Sequence, residues 1–333
     1  MPDLVSDLHI QARVKATEAV KSALTLAKKG GKVSCPVSQF CPPRYNVNTF
    51  KMDWTACTAR LSTVNGKMSI PFVLPDYFRS MIGGKVCTAD LLNKDSGWWL
   101  HVIVDLPAPK VRSNKQNIGV DLGVNRPAVT SNARFLGERR WKDIEARIFR
   151  QKRQCQSKGT KSAKRKLRQV RTRQARFRRD CDHVLSRRIV DAVKPGGTIV
   201  LENLTDIRKR IKARKRQRRR LHSWSFAQLK AFVGYKAEAV GTRVELIDPR
   251  NTSRTCNKCG HCEKSNRKSQ SLFVCRACGY TINADLGAAR NIRAKFLGIF
   301  GISLDARPSS TGPTSSSELN AGGRKALLAS RRL

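Results

Sequence analysis

The sequence predicts a chain of mixed class, with an α+β part followed by an α/β part. Within residues 46–106, Asn65-Gly66 is a dipeptide that favours the tight turn of a β-hairpin. A second hairpin is predicted between residues 85–92 and 98–106, because apolar and polar residues alternate along the latter segment. We therefore expect a small antiparallel β-domain of barrel-like form in this region.

The second predicted part is an α/β domain in which short apolar strands alternate with helices. Residues 117–123, 198–201 and 243–247 are apolar runs of the kind found in strands at the core of a sheet. Residues 138–192 carry apolar side chains at helical spacing on both sides of Gly159, which predicts an insertion of two long helices. We expect the first two apolar runs to be central strands of one sheet.

The remaining segments are assigned from local signals and composition. A helix is predicted over residues 8–30, where a glycine pair follows the apolar face. The Ser-, Gly- and Pro-rich end of the chain is predicted to be disordered. The predicted boundaries are 1–34 for the helical segment, 35–114 for the β-domain, 115–303 for the α/β domain and 304–333 for the disordered tail. Inside the α/β domain, the helical insertion spans 138–192 and a zinc-ribbon insertion spans 250–282.

The net charge is the most extreme property of the composition. The 333 residues include 67 Lys and Arg against 24 Asp and Glu, which gives a formal net charge of +43. Such a charge favours a polyanionic partner, and the phosphate backbone of a nucleic acid is the usual one. A membrane surface is the alternative, but the sequence contains neither an apolar run of membrane-spanning length nor a basic and apolar leader.

Four of the eleven cysteines have the spacing of a metal site. Two Cys-x2-Cys pairs are separated by 15 residues, and four thiolates at this spacing form a closed, tetrahedral zinc site of the structural kind. The predicted ligands are Cys256, Cys259, Cys275 and Cys278. Cys262 adds a further Cys-x2-Cys step, but we expect it and His261 to stay outside a site that four ligands already close. Cysteine used in this way favours a reducing compartment.

Three carboxylates accompany the apolar segments. Asp121 lies in the first apolar strand, Glu202 ends the second, and Asp285 lies in the first turn of a helix that Asn283 can cap. Each has an ordinary alternative, since acids at strand ends are often solvated or ion-paired and an acid at a helix start interacts favourably with the helix dipole. Two central strands and one helix can nevertheless bring all three acids to one edge of the sheet.

Three carboxylates at one edge would form a site for hard cations. They would raise one another's pKa unless cations neutralise them, and Mg²⁺ is bound in proteins by carboxylate and water oxygens. Pairs of such ions cleave phosphodiesters by activating a water molecule and stabilising the leaving oxygen. The pattern therefore predicts a two-metal site at Asp121, Glu202 and Asp285, with a nucleic acid as the substrate.

A dense basic segment follows the second apolar strand. Residues 208–220 hold ten Lys or Arg in thirteen positions, and this density favours contact with nucleic acid over a merely solvated surface. The charge alone does not distinguish RNA from DNA. The predicted contacts are Arg208, Lys209, Arg210, Lys212, Arg214, Lys215 and Arg216.

Four motifs resemble those of the TnpB (OrfB) family. They are Gly-Val-Asp-Leu-Gly-Val-Asn-Arg-Pro from Gly119, Val-Leu-Glu-Asn-Leu from Val200, Asn-Thr-Ser-Arg-Thr-Cys-Asn-Lys-Cys-Gly from Asn251 and Asn-Ala-Asp-Leu-Gly-Ala-Ala-Arg-Asn-Ile from Asn283. Members of this family are transposon-encoded nucleases, akin to type V CRISPR effectors, in which a β-domain called the wedge precedes an RNase H-like domain of the RuvC type. The resemblance covers roughly residues 35–300.

The resemblance implies an RNA-guided DNA endonuclease. The family's catalytic acids match Asp121, Glu202 and Asp285, and its zinc ligands match the four cysteines of the two Cys-x2-Cys pairs. It implies a guide RNA from the mobile element and a target DNA as partners, with base pairing reading the sequence and the protein reading the backbone. It further implies one structural Zn²⁺, catalytic Mg²⁺ and a cytoplasmic, nucleoid-associated prokaryotic protein.

The chain departs from the family pattern at two places. Gly287 stands where members carry Asn, and we expect this to change packing or a polar contact without loss of metal. Residues 1–34 match only the end of a longer helical recognition region, so the N-terminal region is expected to be shortened.

Two other functions are open on the sequence alone. A truncated or cleavage-deficient protein could bind guide RNA and DNA without cutting. A transposase in the strict sense is disfavoured, because the order Asp, Glu, Asp differs from the Asp-Asp-Glu order of cut-and-paste enzymes, and the five histidines never form the His-x-His of single-strand transposases.

Overall fold

The computed structural model describes two compact units. It describes residues 4–94, 97–107, 109, 114–123, 126–205 and 225–300, and the backbone of 324–329. One unit comprises Met1–Ala108 with Glu318–Leu333, and the other comprises Pro109–Ser317. Within the described ranges, no helix has both the length and the apolar character needed to cross a membrane.

The first unit combines one helix with short antiparallel strands. Its elements are α1 (Ser6–Lys28), β1 (Arg44–Asn46), β2 (Phe50–Asp53), β3 (Thr58–Thr63), β4 (Gly66–Pro71), β5 (Lys85–Lys94) and β6 (Gly97–Leu106). The predicted hairpin between β3 and β4 is present, but its turn residues are Val64 and Asn65. Gly66 instead begins β4 with a φ of +95°, a conformation that favours glycine.

The strands of the first unit form two sheets that contribute to one apolar core. β2, β3 and β4 form one sheet, while β1, β5 and β6 form the other together with a strand at Arg324–Ala329. The predicted barrel-like form is therefore wrong for the described strands, since β4 is an exposed edge that pairs only with β3. Residues 324–329 were assigned to the disordered tail and instead pair with β6, whereas the rest of 304–333 lies outside the described residues.

The second unit has the expected alternation of strands and helices. Its elements are β7 (Asn117–Asp121), β8 (Ala128–Thr130), β9 (Phe135–Leu136), α2 (Arg139–Lys158), α3 (Lys161–Val190), β10 (Thr198–Glu202), α4 (Phe226–Ala239), β11 (Arg243–Ile247), β12 (Leu272–Val274), β13 (Thr281–Asn283) and α5 (Ala284–Phe296). Gly159, with a φ of +65°, separates α2 from α3 where the sequence predicts the break. The mixed α/β class is confirmed.

Five strands of the second unit form one mixed sheet in the order β11-β10-β7-β8-β9. β11, β10 and β7 run parallel, whereas β8 and β9 are antiparallel to their neighbours. β7 and β10 are buried along nearly their whole length, as expected of central strands. β11 was predicted as a core strand but lies at the edge with an alternately exposed pattern, because only β10 pairs with it.

A close approach between Gly119 and α5 fixes the helix against the centre of the sheet. A Cβ atom at Gly119 would lie 2.2 Å from the Ala289 carbonyl oxygen and 2.6 Å from the Arg293 backbone nitrogen. Both neighbours are backbone atoms of a helix, so no side-chain rotation can relieve the overlap. Glycine is required at this position because any side chain would push α5 away from β7.

Gly119→Ala should destabilise the protein, whereas Gly234→Ala should stabilise it. Overpacking a tight contact costs about 1–3 kcal/mol or more, and Gly119 has no room for a methyl group. Gly234 lies inside α4 with no atom within 4 Å of a built Cβ, and alanine in a helix is favoured over glycine by up to about 1 kcal/mol. Chemical denaturation of both variants checks this pair, and equal shifts of the midpoint in the same direction would contradict the assigned contact.

Candidate functional site: an acidic edge beside a four-cysteine cluster

Asp121 and Glu202 are the last residues of two neighbouring parallel strands. In the register of β7 and β10, Val120 lies opposite Leu201, so the two acids follow at the same edge of the sheet. The residues before each acid are buried and hold both strands in the core. The two acids follow at the strand ends, so their carboxyl groups lie at the edge of that core.

Asp285 reaches the same edge from a helix. It lies in the first turn of α5, where the Asn283 side chain caps the helix by accepting hydrogen bonds from the Asp285 and Leu286 backbone N–H groups (3.1 and 3.2 Å). The contact of α5 with Gly119 in β7 holds this turn beside Asp121. Asp285 is buried, with 6% of its surface exposed.

Asp121 interacts electrostatically with both other acids. Burial, and after it the charges of Glu202 and Asp285, raise the pKa of Asp121 to about 8, while Arg267 acts in the opposite direction. Since this pKa lies above neutrality, Asp121 retains its proton at pH 7 when no cation is bound. Asp121 and Glu202 thus end neighbouring strands with Asp285 within electrostatic range of Asp121. Among the described residues, only the four cysteines place their ligand atoms within 4.8 Å of one another as a metal-binding group, so the three-acid metal site stays a prediction.

Glu202 is oriented by a hydroxyl group from the loop that leads into the cysteine cluster. Thr252 Oγ1 donates a hydrogen bond of 2.6 Å to Glu202 Oε1. Burial raises the pKa of Glu202, and the bond from Thr252 opposes this rise because it stabilises the ionised form. Thr252 is itself buried, so it fixes one carboxylate oxygen in place.

Two arginines beside Asp285 were not singled out from the sequence. Arg267 Nη2 lies 3.3 Å from Asp285 Oδ1, and Arg126 Nε lies 3.8 Å from Asp285 Oδ2. Burial still raises the pKa of Asp285, against the lowering effect of Arg267, Arg126 and Lys142. Arg267 lies between the two cysteine pairs and Arg126 in the loop after β7. In so basic a chain, no sequence spacing distinguishes these two arginines from the others. Only the fold brings them next to Asp285.

A buried asparagine pair ties α5 to the loop before the cysteine cluster. Asn291 Nδ2 donates to the carbonyl oxygens of Thr252 and Thr255, both at 2.7 Å. Asn257 Nδ2 donates to Asn291 Oδ1 at 2.7 Å and to the Gly287 carbonyl at 3.2 Å. Since Thr252 also bonds Glu202, one connected network holds the strand that ends in Glu202 and the helix that carries Asp285.

Gly287 leaves room for this asparagine pair. A Cβ atom at Gly287 would lie 3.2 Å from Asn257 Oδ1 and 3.3 Å from Ile282 Cγ2, which is closer than usual contact. A side chain at the position where the chain departs from the TnpB pattern would therefore crowd Asn257. The expected change of packing or polar contact at Gly287, without loss of metal, stays a prediction.

The four cysteines of the two Cys-x2-Cys pairs converge and could hold one metal ion. The Sγ atoms of Cys256, Cys259, Cys275 and Cys278 all lie within 4.8 Å of one another. The Cys256–Cys278 and Cys259–Cys275 distances are 3.7 and 3.6 Å. Zinc–sulfur bonds of about 2.3 Å in a tetrahedron place sulfur atoms about 3.8 Å apart, so the cluster has the dimensions of a Zn²⁺ site.

The two cysteine pairs have the same backbone conformation. Gly260 and Gly279 follow the second cysteine of each pair with φ values of +77° and +68°, and each donates its N–H to the carbonyl of the first cysteine. Burial raises the pKa of Cys256 to about 12, whereas the N–H of Tyr280 lowers the pKa of Cys278 to about 7. Four such thiols in contact favour a bound cation because it stabilises their ionised forms.

Three predicted features lie outside these two sites. Cys262 is exposed and does not join the four-cysteine group, and His261 contacts Glu263 at 3.3 Å. The predicted nucleic-acid contacts at residues 208–216 fall outside the described residues.

Two family models match the chain. A model described as a probable transposase, of the OrfB type, matches residues 101–208, and one described as a Cas12f1-like TNB domain matches residues 226–292. The first covers β7 and β10, and the second covers the cysteine pairs and Asp285.

Three relatives illustrate the similarity. A CRISPR-associated endodeoxyribonuclease Cas12f1 of Sulfoacidibacillus thermotolerans is 34% identical over 229 residues, 62% of this chain and 53% of the relative. A putative RNA-guided DNA endonuclease InsQ of Escherichia coli K12 is 29% identical over 218 residues, 59% of this chain and 53% of the relative. A TnpB-like protein of Methanocaldococcus jannaschii is 36% identical over 125 residues, 37% of this chain and 44% of the relative.

The chain spans about half the length of these relatives. The matched segments contain the four motifs on which the resemblance to the TnpB family was based. Residues 101–208 are similar to the OrfB-type transposase model and residues 226–292 to the Cas12f1-like TNB model, so the resemblance is confirmed.

Proposed function

We propose that the chain is an RNA-guided DNA endonuclease that cleaves phosphodiesters with Mg²⁺ at Asp121, Glu202 and Asp285. The observation that supports this proposal is that Asp121 and Glu202 end neighbouring parallel strands and that burial, with the charges of Glu202 and Asp285, raises the pKa of Asp121 to about 8. The same placement supports an RNase H-like domain of the RuvC type as the architecture of the second unit. The first unit would then correspond to the wedge domain.

The donor set at the acidic edge is suited to Mg²⁺. Asp121, Glu202 and Asp285 offer carboxylate oxygens, which Mg²⁺ prefers over nitrogen or sulfur. A divalent cation would also offset the burial and the repulsion that together raise the pKa of Asp121. When bound as a pair, such ions lower the pKa of the attacking water and stabilise charge on the leaving oxygen.

The protein's own groups would orient the site and hold the substrate. Thr252 and the asparagine pair fix Glu202 relative to α5. Arg267 and Arg126 neutralise Asp285 in the free protein, and we expect them to turn to a substrate phosphate once cations bind the carboxylates. Guanidinium groups are suited to this exchange because they bind carboxylate and phosphate oxygens with the same planar geometry.

The charge of the chain and the relatives' names support a guide RNA and a target DNA as the partners. The net charge of +43 matches a polyanion, and one relative is named a putative RNA-guided DNA endonuclease. In this proposal the guide is transcribed from the mobile element that encodes the chain. Base pairing would select the DNA and the protein would hold the backbone.

Substitution of the acids should separate cleavage from binding. Asp121→Ala, Glu202→Ala and Asp285→Ala should each reduce cleavage by more than about a thousandfold, as removal of essential catalytic groups does, while RNA binding persists. Glu245→Ala, at an exposed position of β11, is the matched control and should cleave normally. The measurement is single-turnover cleavage of a DNA target matched to the RNA that copurifies with the chain.

Two results of this experiment would contradict the assignment. Cleavage that survives in all three alanine variants would remove the acids from the mechanism. A wild-type chain that binds the RNA and its DNA target but never cuts would favour the alternative, a cleavage-deficient binding protein.

We further propose that the four-cysteine cluster binds one structural Zn²⁺. Cys256→Ser should release zinc and unfold the surrounding lobe, because a closed zinc site contributes folding free energy directly. Cys262→Ser is the matched control, since Cys262 is exposed and outside the cluster. Metal analysis should give one zinc per chain in the wild type and in the Cys262 variant, and less than half of that in the Cys256 variant. A zinc-free wild type with an unchanged melting temperature would refute the proposal.

A further inference from the structure

The outer face of α3 carries a continuous row of basic side chains. We call this row the α3 stripe. Its members, all exposed, are Lys161, Lys164, Arg165, Arg168, Arg171, Arg176 and Arg179. Since an α-helix rises 1.5 Å per residue, the stripe is about 27 Å long.

In the first part of α3, helical spacing places the stripe on one side and the core contacts on the other. At about 100° per residue, the seven basic residues fall within a sector of roughly 140°. Within residues 161–179, Ala163 and Val170 point to the opposite side and are buried. Beyond Arg179 the same sector of α3 is buried at Asp182, Ser186, Ile189 and Val190. The stripe is therefore a free face of the first part of the helix.

The positive charge of the stripe is not neutralised locally. Residues 161–179 contain ten Lys or Arg and no Asp or Glu. Among the described residues, the only ion pair of this segment joins Arg178 to Glu145, and Arg178 is not part of the stripe. Burial lowers the pKa of Lys152 on the adjacent α2, and the charges of Arg171 and Arg178 lower it further. Basic groups on the two helices thus repel one another, and a polyanion would relieve that repulsion.

The chemistry of the stripe matches a duplex better than a single strand. Proteins that hold single strands combine basic groups with aromatic side chains on which bases stack. α3 is described throughout, and its stripe face carries no aromatic residue; Phe177 lies on the opposite, half-buried side. In a duplex the bases are stacked inside and only phosphates and grooves are presented, so a purely cationic row is sufficient.

We propose that the α3 stripe binds the phosphate backbones of a nucleic-acid duplex. Along about 27 Å a DNA duplex presents roughly sixteen phosphate charges, more than enough for all seven basic groups. The inference concerns binding alone and does not depend on the assignment of the catalytic acids. Its partner is double-stranded nucleic acid, and the experiment below determines whether each strand is DNA or RNA.

The test compares two pairs of substitutions on the same helix. Arg168→Gln with Arg176→Gln removes two charges from the stripe, and Lys166→Gln with Arg173→Gln removes two exposed charges outside it. Glutamine, lysine and arginine have similar helix propensities, so neither pair should unfold α3. Arg168→Lys with Arg176→Lys retains the charge and serves as a second control.

Binding is measured on the full chain freed of copurified nucleic acid and without added Mg²⁺. The probes are labelled duplexes of about 20 base pairs (DNA–DNA, RNA–DNA and RNA–RNA) and a single strand of equal length, titrated at several salt concentrations. The stripe pair should weaken duplex binding by about tenfold or more near 0.15 M salt and reduce the slope of log K against log salt by about 2, since each phosphate contact contributes about 0.9. The lysine pair and the off-stripe pair should bind duplex within about twofold of wild type.

The pattern of losses decides the inference. If the stripe pair of substitutions weakens binding to the duplexes but not to the single strand, the proposal is supported. The duplex whose affinity falls most then shows whether the partner's strands are DNA or RNA. Equal losses from the stripe and off-stripe pairs would indicate a general charge effect and overturn the proposal. Losses confined to the single strand would overturn it as well. Because no cleavage is measured, these outcomes are independent of whether the acids are catalytic.

Discussion

The burial of the Asp121 carboxyl group near two other acids is the constraint on which the proposed site in the second unit depends. Asp121 and Glu202 end parallel strands, and Gly119 lets α5 approach closely enough to add Asp285. Burial, with the charges of Glu202 and Asp285, raises the pKa of Asp121 to about 8. Such an arrangement is costly without cations and favourable with them, which is the physical basis for proposing a divalent-metal nuclease.

The cysteine lobe contributes to this acidic edge through its own side chains. Thr252 donates a hydrogen bond to Glu202, and Asn291 in α5 donates one to the Thr252 carbonyl oxygen. Arg267, between the two cysteine pairs, forms an ion pair with Asp285. In the proposed function, zinc bound by the four cysteines would keep this segment folded and so influence the geometry of the acids without an open coordination position. Hydrogen bonds and an ion pair already connect the segment that carries the four cysteines to Glu202 and Asp285.

Local sequence patterns predicted the features that depend on local chemistry. Polar residues at the ends of apolar strands marked Asp121 and Glu202, and Cys-x2-Cys spacing marked the cluster. Features set by tertiary packing were missed. Arg267 reaches Asp285 only through the fold of the lobe, β11 has a core-like sequence but no outer neighbour, and β4 remains an edge where a barrel-like form was expected.

Anomalous diffraction from crystals of the full chain soaked in Mn²⁺, a substitute for Mg²⁺, tests the central claim most directly. The account predicts manganese bound by Asp121, Glu202 and Asp285 together, with that signal lost in crystals of Asp121→Asn while a separate zinc signal remains at the four cysteines. Manganese bound elsewhere, or held by only one of the three acids, would contradict the account.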